Sequence, residues 1–154
     1  MKTFNRRGGF RHIVLPYRSG LEDTIADQLR HSKVDAVYEG YSIQYKIPES
    51  LHTYTPDFVL PNGIIIETKG VFDADDRKKH LLIQQQYPNL DIRFVFSNIN
   101  AKIYKGSKTS HADWCRKHGF QYAHKAVPAS WLKEAPKDTT GLVLKIKKGE
   151  NLDV

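Results

Sequence analysis

Segments of different hydrophobic periodicity follow one another along the chain and predict strands that alternate with helices. Leu21, Ile25 and Leu29 recur at four-residue spacing, which indicates a helix that begins near Ser19. Because strands lie between helices, we predict an α/β fold in which helices cover both faces of the sheet. The predicted strands are residues 36–47, which alternate as a strand or a hairpin, the β-branched run at 64–66, and residues 91–97.

Capping residues and glycines predict the remaining elements. Asp73 or Asp75 is placed to cap a helix that runs to about Tyr87 and buries residues 81–83. The other predictions are a short helix from Ser110 to His118-Gly119, an edge strand at 120–123, and a turn of helix at 128–134.

A turn at Asn62-Gly63 joins two of the strands as an antiparallel pair, so the predicted sheet is mixed. A two-residue loop there would set Asp57 opposite Thr68, on the wrong face for a shared site. A three-residue loop over residues 61–63 sets Asp57 opposite Glu67 and on the same face. We predict the three-residue loop, with Gly63 in the positive-φ conformation.

Asp57, Glu67 and Lys69 are the candidate chemical groups of this hairpin. Glu67 and Lys69 share a face because they are two residues apart on a strand. Buried charges on a strand cost several kcal/mol unless they are compensated, and a bound divalent cation compensates carboxylates. Carboxylate oxygens suit Mg²⁺ or Mn²⁺, and Lys69 would position or deprotonate a bound water. Taken alone, the pattern is better explained by a turn-capping Asp57 and a solvated strand end at Glu67 and Lys69. The flanking Pro56, the hairpin and the apolar strands favour a site.

Composition and charge narrow the class of protein. The 154 residues fit one domain, and the net charge of +7 with a pI near 9.4 favours polyanionic partners. A single cysteine, Cys115, excludes an internal disulfide and a cysteine zinc knuckle, and is compatible with a reducing cytoplasm. The N-terminus carries no apolar signal segment and no 18-residue apolar run occurs, so we expect neither secretion nor a membrane span.

A proline-linked aspartate followed by Glu-x-Lys is the signature of the PD-(D/E)xK nucleases, and the stretch from Pro56 to Lys69 resembles it closely. Longer blocks resemble the phage endonuclease I family, the Holliday-junction resolvases of T-seven-like bacteriophages. These blocks follow in order from about Arg18 to Lys133, at residues 18–23, 52–58, 60–64, 67–70, 75–83, 91–93, 104–107 and 117–119.

The resemblance implies a catalytic set of Glu22, Asp57, Glu67 and Lys69. Spacing alone favours Glu22 as the partner of Ser19 in a capping box, whereas the resemblance gives it a catalytic role. In that family Asp57, Glu67 and the carbonyl of Thr68 would hold one Mg²⁺, while Asp57 and Glu22 would hold a second. Mn²⁺ is expected to substitute. The expected products are a 5′-phosphate and a 3′-hydroxyl.

The resemblance also implies a restriction-endonuclease-like PD-(D/E)xK fold and a homodimer that exchanges a segment through Tyr45-Lys46-Ile47-Pro48. The expected substrates are four-way junctions and other branched DNA, in the cytoplasm of the infected bacterial host, with no membrane partner. We expect a basic N-terminal arm at residues 1–18, a nuclease domain at 19–135 and a basic C-terminal tail at 136–154. The predicted DNA contacts are Arg6, Arg7, Arg11 and Arg18 of the arm, Arg77, Lys78 and Lys79 at a helix start, and Lys105 of a basic loop.

Two other functions are compatible with the same residues. One is a restriction-type PD-(D/E)xK endonuclease that acts on linear duplex DNA. No segment of the sequence has the features of an element that contacts base edges in the major groove. The other is a non-catalytic DNA-binding protein of the same fold, which the intact catalytic set argues against.

Overall fold

The computed structural model describes residues 20–47 and 49–145, and the elements below are those of this part of the chain. The predictions for Ser19, Pro48, the arm at residues 1–18 and residues 146–154 lie outside it. The helices are α1 (Gly20–His31), α2 (Ala74–Gln86), α3 (His111–His118) and α4 (Ala129–Leu132). The strands are β1 (Val37–Tyr38), β2 (Tyr41–Ile47), β3 (Ser50–Tyr54), β4 (Phe58–Val59), β5 (Ile65–Lys69), β6 (Ile92–Phe96), β7 (Tyr122–His124) and β8 (Leu142–Leu144).

The main sheet has five strands in the order β1-β4-β5-β6-β7. Strand β4 pairs antiparallel with β1 and β5, whereas β6 pairs parallel with β5 and β7. The predicted α/β class with a mixed sheet is therefore confirmed, and β7 is the predicted edge strand. Since β5 and β6 run in the same direction, their carboxyl ends lie at the same edge of the sheet.

Helices cover both faces of this sheet. One face packs Ile66 against Ile25 of α1 and Trp131 of α4, and the other packs Phe94 against Ile83 of α2 and Trp114 of α3. All five residues of β6 are buried, as expected for a strand with a helix layer on each side. The two faces alternate along β4 and β5, and this alternation determines which side chains reach the same face.

A second sheet of three strands, in the order β3-β2-β8, differs from the sequence prediction. Residues 36–47 do not form a hairpin with each other, because β1 joins the main sheet while β2 pairs with β3 and β8. Strand β3 was not predicted, because four of its five residues are exposed. Strand β8 lies in the predicted tail and depends on pairing with the distant β2, so residues 142–144 are part of the folded unit.

The predicted start of α2 and both predicted ends of α3 are confirmed. Asp73 caps α2, and its side chain accepts a hydrogen bond of 2.8 Å from the backbone N–H of Asp76. Ser110 and Asp113 form a reciprocal capping box at the start of α3. Gly119 ends α3 at φ 78°, a left-handed conformation that glycine adopts without strain.

The buried side of α2 differs from the prediction. His80 and Ile83 are fully buried, whereas Leu81 and Leu82 are only partly buried. Residues three apart share a helix face, so only one of three consecutive apolar residues points directly at the sheet. The prediction of a wholly buried run was wrong for Leu81 and Leu82.

Among the described residues, every helix is too short or too polar to span a bilayer.

A buried arginine ties β6 to the segment after α4. Arg93 is 1% exposed and donates through Nε and Nη2 to Asp91, both at 2.8 Å. Its Nη1 and Nη2 donate to Glu134 at 2.6 and 2.8 Å, and its guanidinium lies 5.0 Å from the centre of the Trp131 ring. Hydrogen bonds from Arg93 and Lys137 hold the pKa of Glu134 at about 2, below its ordinary value of 4.5.

We expect Glu134→Gln to lower the melting temperature at pH 7, with the difference shrinking as the pH falls. A carboxylate whose pKa is lower in the folded state stabilises the fold above its unfolded pKa, near 4.5, and loses that contribution as the pH falls towards about 2. Thermal unfolding at pH 7 and pH 3 tests this, with the exposed Asp35→Asn as the matched control. An equal deficit at both values would show that the variant perturbs packing and not charge.

Candidate active site

The loop between β4 and β5 has the predicted odd length. The N–H of Leu60 donates to the carbonyl of Ile64 at 2.9 Å, which leaves residues 61–63 as the loop. Gly63 has φ 88°, as predicted. Phe58 lies opposite Ile66, so the next pair outward places Asp57 opposite Glu67. The predicted register is confirmed.

A third carboxylate extends this pair across the sheet. Tyr38 of β1 lies opposite Phe58, so Glu39 follows opposite Asp57, and its N–H donates to the Asp57 carbonyl at 2.9 Å. We call Glu39, Asp57 and Glu67 the acidic row. Glu39 was not predicted, because only the pairing of β1 with the distant β4 reveals its neighbours. Glu39 itself lies just past the end of β1, at φ 47°.

Glu22 reaches the acidic row from helix α1. Its Oε2 accepts a hydrogen bond of 2.5 Å from the hydroxyl of Tyr38, and its side chain is buried. One carboxylate oxygen each from Glu22, Glu39 and Asp57 lie within 4.8 Å of one another. The carboxylate of Glu22 thus lies at the site, and the capping role suggested by Ser19 falls outside the described residues.

Asp57 is held by β5, the strand that carries Glu67 and Lys69. Its Oδ2 accepts hydrogen bonds from the N–H of Thr68 at 2.9 Å and from the Thr68 hydroxyl at 2.8 Å. Burial, followed by the charge of Glu67, raises the pKa of Asp57 to about 8, although the Thr68 hydrogen bonds oppose the shift. A positive charge beside this buried carboxyl would lower its pKa and favour its ionised form.

Glu67 is buried in the centre of the site. Its Oε1 accepts 2.7 Å and 3.4 Å hydrogen bonds from the Tyr54 hydroxyl and the N–H of Asp57, and its Oε2 lies 3.3 Å from Nζ of Lys69. Burial raises the pKa of Glu67, and the neighbouring charge of Lys69 opposes that shift. Tyr54 was not predicted as part of the site, because it belongs to the unpredicted strand β3.

Lys69 lies between two carboxylates. Its Nζ is 3.3 Å from Oε2 of Glu67 and 3.3 Å from Oδ1 of Asp76, and its side chain is 14% exposed. Burial lowers the pKa of Lys69, but the charges of Glu67 and Asp76 outweigh it and the net shift is upward. Lys69 is therefore an ammonium in this arrangement, which donates hydrogen bonds and does not accept a proton.

The predicted DNA-contact residues fall in different surroundings. Arg77 donates through Nη1 to the carbonyls of Phe72 and Ile103 at 2.6 and 2.9 Å, so its guanidinium also joins α2 to a neighbouring loop. Lys78 and Lys105 are exposed to solvent. Lys79 lies in the cleft, 3.8 Å from Asp76. The remaining predicted contacts, at Arg6, Arg7, Arg11 and Arg18, are outside the described residues.

The catalytic candidates line one cleft with a volume of about 460 Å³. Its charged lining consists of Glu22, Asp57, Glu67, Lys69, Asp76 and Lys79, with carboxylates outnumbering ammonium groups. The donors are hard oxygens, which fits Mg²⁺ or Mn²⁺ and not a thiolate-bound metal. A divalent cation held by these oxygens would offset the upward shift in the pKa of Asp57.

The sequence profile of the family described as "Phage endonuclease I" matches residues 1–151. The chain therefore belongs to the phage endonuclease I family, and the predicted enzyme class, an endonuclease, is confirmed. Endonuclease I of Escherichia phage T7 is 53% identical over 134 residues, which cover 87% of this chain and 90% of that protein. Endodeoxyribonuclease 1 of Enterobacteria phage T3 is 55% identical over 133 residues, which cover 86% and 88% respectively.

Proposed function

We propose that this endonuclease resolves branched DNA, especially four-way junctions, by metal-dependent hydrolysis of phosphodiester bonds on a PD-(D/E)xK fold. The observation that carries the proposal is the convergence of Glu22, Asp57, Glu67 and Lys69 in one cleft, in a member of the phage endonuclease I family. Hydrolysis leaves a 5′-phosphate and a 3′-hydroxyl. The enzyme acts in the cytoplasm of the infected host.

The carboxylates have separate tasks in this proposal. Asp57, Glu67 and the carbonyl of Thr68 would hold one Mg²⁺, and Asp57 and Glu22 would hold a second, with Mn²⁺ as a substitute. When bound, the ions neutralise charge on the phosphate and lower the pKa of an attacking water. Tyr54 keeps Glu67 oriented through its 2.7 Å hydrogen bond, and Thr68 does the same for Asp57.

Lys69 orients the attacking water or a phosphate oxygen by donating a hydrogen bond. The contacts of Nζ with Glu67 and Asp76 favour the ammonium form, which donates hydrogen bonds. The sequence left positioning and deprotonation both open, and the two carboxylate contacts support positioning.

DNA shape and phosphate contacts provide the selectivity. Lys78 and Lys105 are exposed and free of acidic contacts among the described residues, which suits phosphate binding. Lys79 contributes from inside the cleft, and Arg77 does so while it holds the neighbouring loop. The arm residues Arg6, Arg7, Arg11 and Arg18 add contacts on the flanking duplex.

The active form is a homodimer that exchanges the segment before Pro48. The tight turn between β2 and β3 supports this, because Glu49 adopts φ 74°, a left-handed conformation that a residue with a Cβ occupies at a cost. Extending the chain through residues 47–50 would relieve that conformation and carry α1, β1 and β2 to the partner. Two active sites in one symmetric dimer match the two cuts that a four-way junction requires.

Cleavage of a four-way junction and of a linear duplex with the same arm sequences tests the function. We expect Mg²⁺-dependent cleavage near the branch point, little cleavage of the linear duplex, and no cleavage when the metal is chelated. Junctions with unrelated arm sequences should be cut at similar rates, because shape and not base edges is recognised. Efficient cutting of a particular linear sequence would favour the restriction-type alternative, and binding without cleavage would favour the non-catalytic one.

A further inference from the structure

Asp76 joins the catalytic lysine to a closed ring of interactions around the site. Lys69 contacts Glu67 and Asp76, both at 3.3 Å, and Asp76 is 3.8 Å from Nζ of Lys79. Lys79 lies over the Tyr54 ring, 5.2 Å from its centre, and the Tyr54 hydroxyl donates to Glu67. The contacts therefore form a closed ring that begins and ends at Glu67. Asp76 contributes to this ring from the first turn of α2.

The backbone of Asp76 is fixed independently of the site. Its N–H donates to the side chain of the N-cap residue Asp73 at 2.8 Å, within the first turn of a 13-residue helix. The side chain of Asp76 is 24% exposed and directs Oδ1 at Lys69, so a rigid helix end presents an acceptor to a flexible lysine. The side chain of Lys69 is a flexible four-carbon stem. A second carboxylate partner therefore restricts the position of its ammonium more than one partner alone would.

We propose that Asp76 is a positioning residue that holds the Lys69 ammonium at the reacting phosphate. The inference rests on the proposed function, in which Glu67 turns its oxygens to a metal ion. Glu67 is then a weaker partner for Lys69, and Asp76 remains as the acceptor that keeps the ammonium in place. Asp76 touches neither substrate nor metal in this role, and acts through Lys69.

The test compares Asp76→Asn with Asp76→Glu, using Asp75→Asn as the control. Asp75 is the preceding residue in the same helix turn but is exposed and does not line the cleft. With junction DNA bound, Asp76→Asn should lower the single-turnover cleavage rate by about 10- to 100-fold, the range expected for a misplaced catalytic group. Asp76→Glu should recover most of the rate. Junction affinity, and the Mg²⁺ concentration for half-maximal rate, should stay at the wild-type values in both.

Two outcomes would overturn the inference. Full recovery of the Asp76→Asn rate at high Mg²⁺ would make Asp76 a metal ligand, and a rate equal to that of Asp75→Asn would remove any role. Unfolding of Asp76→Asn is recognised by its melting temperature, and Asp76→Glu then carries the comparison.

A second readout does not depend on activity. The ¹⁵N signal of the Lys69 ammonium should be visible by NMR in the wild-type protein at saturating Mg²⁺ without DNA, because an ordered ammonium exchanges its protons slowly. Asp76→Asn should broaden or abolish that signal, whereas Asp75→Asn should preserve it. An unchanged signal contradicts the positioning role even if the enzyme fails to cut junctions, a failure that would count against the proposed function alone.

Discussion

Asp57→Asn is expected to lower the rate of junction cleavage by at least about a thousandfold while junction binding stays close to wild type. Asp57 is the residue shared by both proposed metal sites, and a bound ion contributes several kcal/mol of charge stabilisation, with each 1.36 kcal/mol worth a factor of ten. The amide still accepts from Thr68, so the local hydrogen bonds are retained. Single-turnover kinetics with saturating enzyme measures the rate, and binding with the metal chelated measures affinity.

The same variant should also change how stability responds to metal. The pKa of Asp57 is raised to about 8, so its ionisation destabilises the metal-free fold as the pH rises from its unfolded value of 3.8 towards 8. At pH 8 without metal, Asp57→Asn should melt at or above the wild-type temperature. Mg²⁺ should then raise the melting temperature of the wild type and have little effect on the variant. Cleavage at the wild-type rate, or an undiminished response to Mg²⁺, would remove Asp57 from the metal site.

A mixed dimer of Glu22→Gln and Glu67→Gln subunits is expected to retain one fully active site. If the segment before Pro48 is exchanged, each site combines Glu22 of one chain with Asp57, Glu67 and Lys69 of its partner. One site of the mixed dimer then collects both lesions and the other has none. Such a dimer should nick one strand of a junction at about the single-site rate of the wild type, while both mutant homodimers stay inactive.

Co-expression of the two variants with different affinity tags gives the mixed dimer after two purification steps. A supercoiled plasmid that extrudes a cruciform reports the outcome, because one cut yields a nicked circle and two cuts yield a linear product. A wild-type dimer carrying the same two tags is the control. Without exchange, each site of the mixed dimer would carry one lesion, and a folded, junction-binding mixed dimer without nicking activity would refute the exchange.

Local signals predicted the part of the site that lies on neighbouring stretches of chain. The turn at Asn62-Gly63 left two loop lengths open, and the length that pairs Asp57 with Glu67 is the one observed. Capping residues likewise predicted the start of α3 at Ser110 and limited the start of α2 to Asp73 or Asp75. These features need no knowledge of the rest of the fold.

Contacts between segments that are distant in the sequence bring in the site residues that the sequence pattern did not predict. Glu39 joins the acidic row only because β1 lies beside β4, and Tyr54 reaches Glu67 only because β3 pairs with β2. Asp76 carried a clear signal for a helix start but none for its contact with Lys69, which depends on how α2 packs against the sheet. Periodicity reports which face a residue occupies, and it does not report which segment will cover that face.

The site residues are widely separated along the chain, which has a consequence for synthesis of the enzyme. Glu22 leaves the ribosome long before Glu67, and the strand β6 that flanks β5 follows later still. Because Glu22 lies on α1 and Glu67 on β5, the two carboxylates come together only when both elements have folded. A truncated or unfinished chain that lacks β6 therefore lacks the support on which its cleft is built, and nuclease activity is tied to completion of the fold.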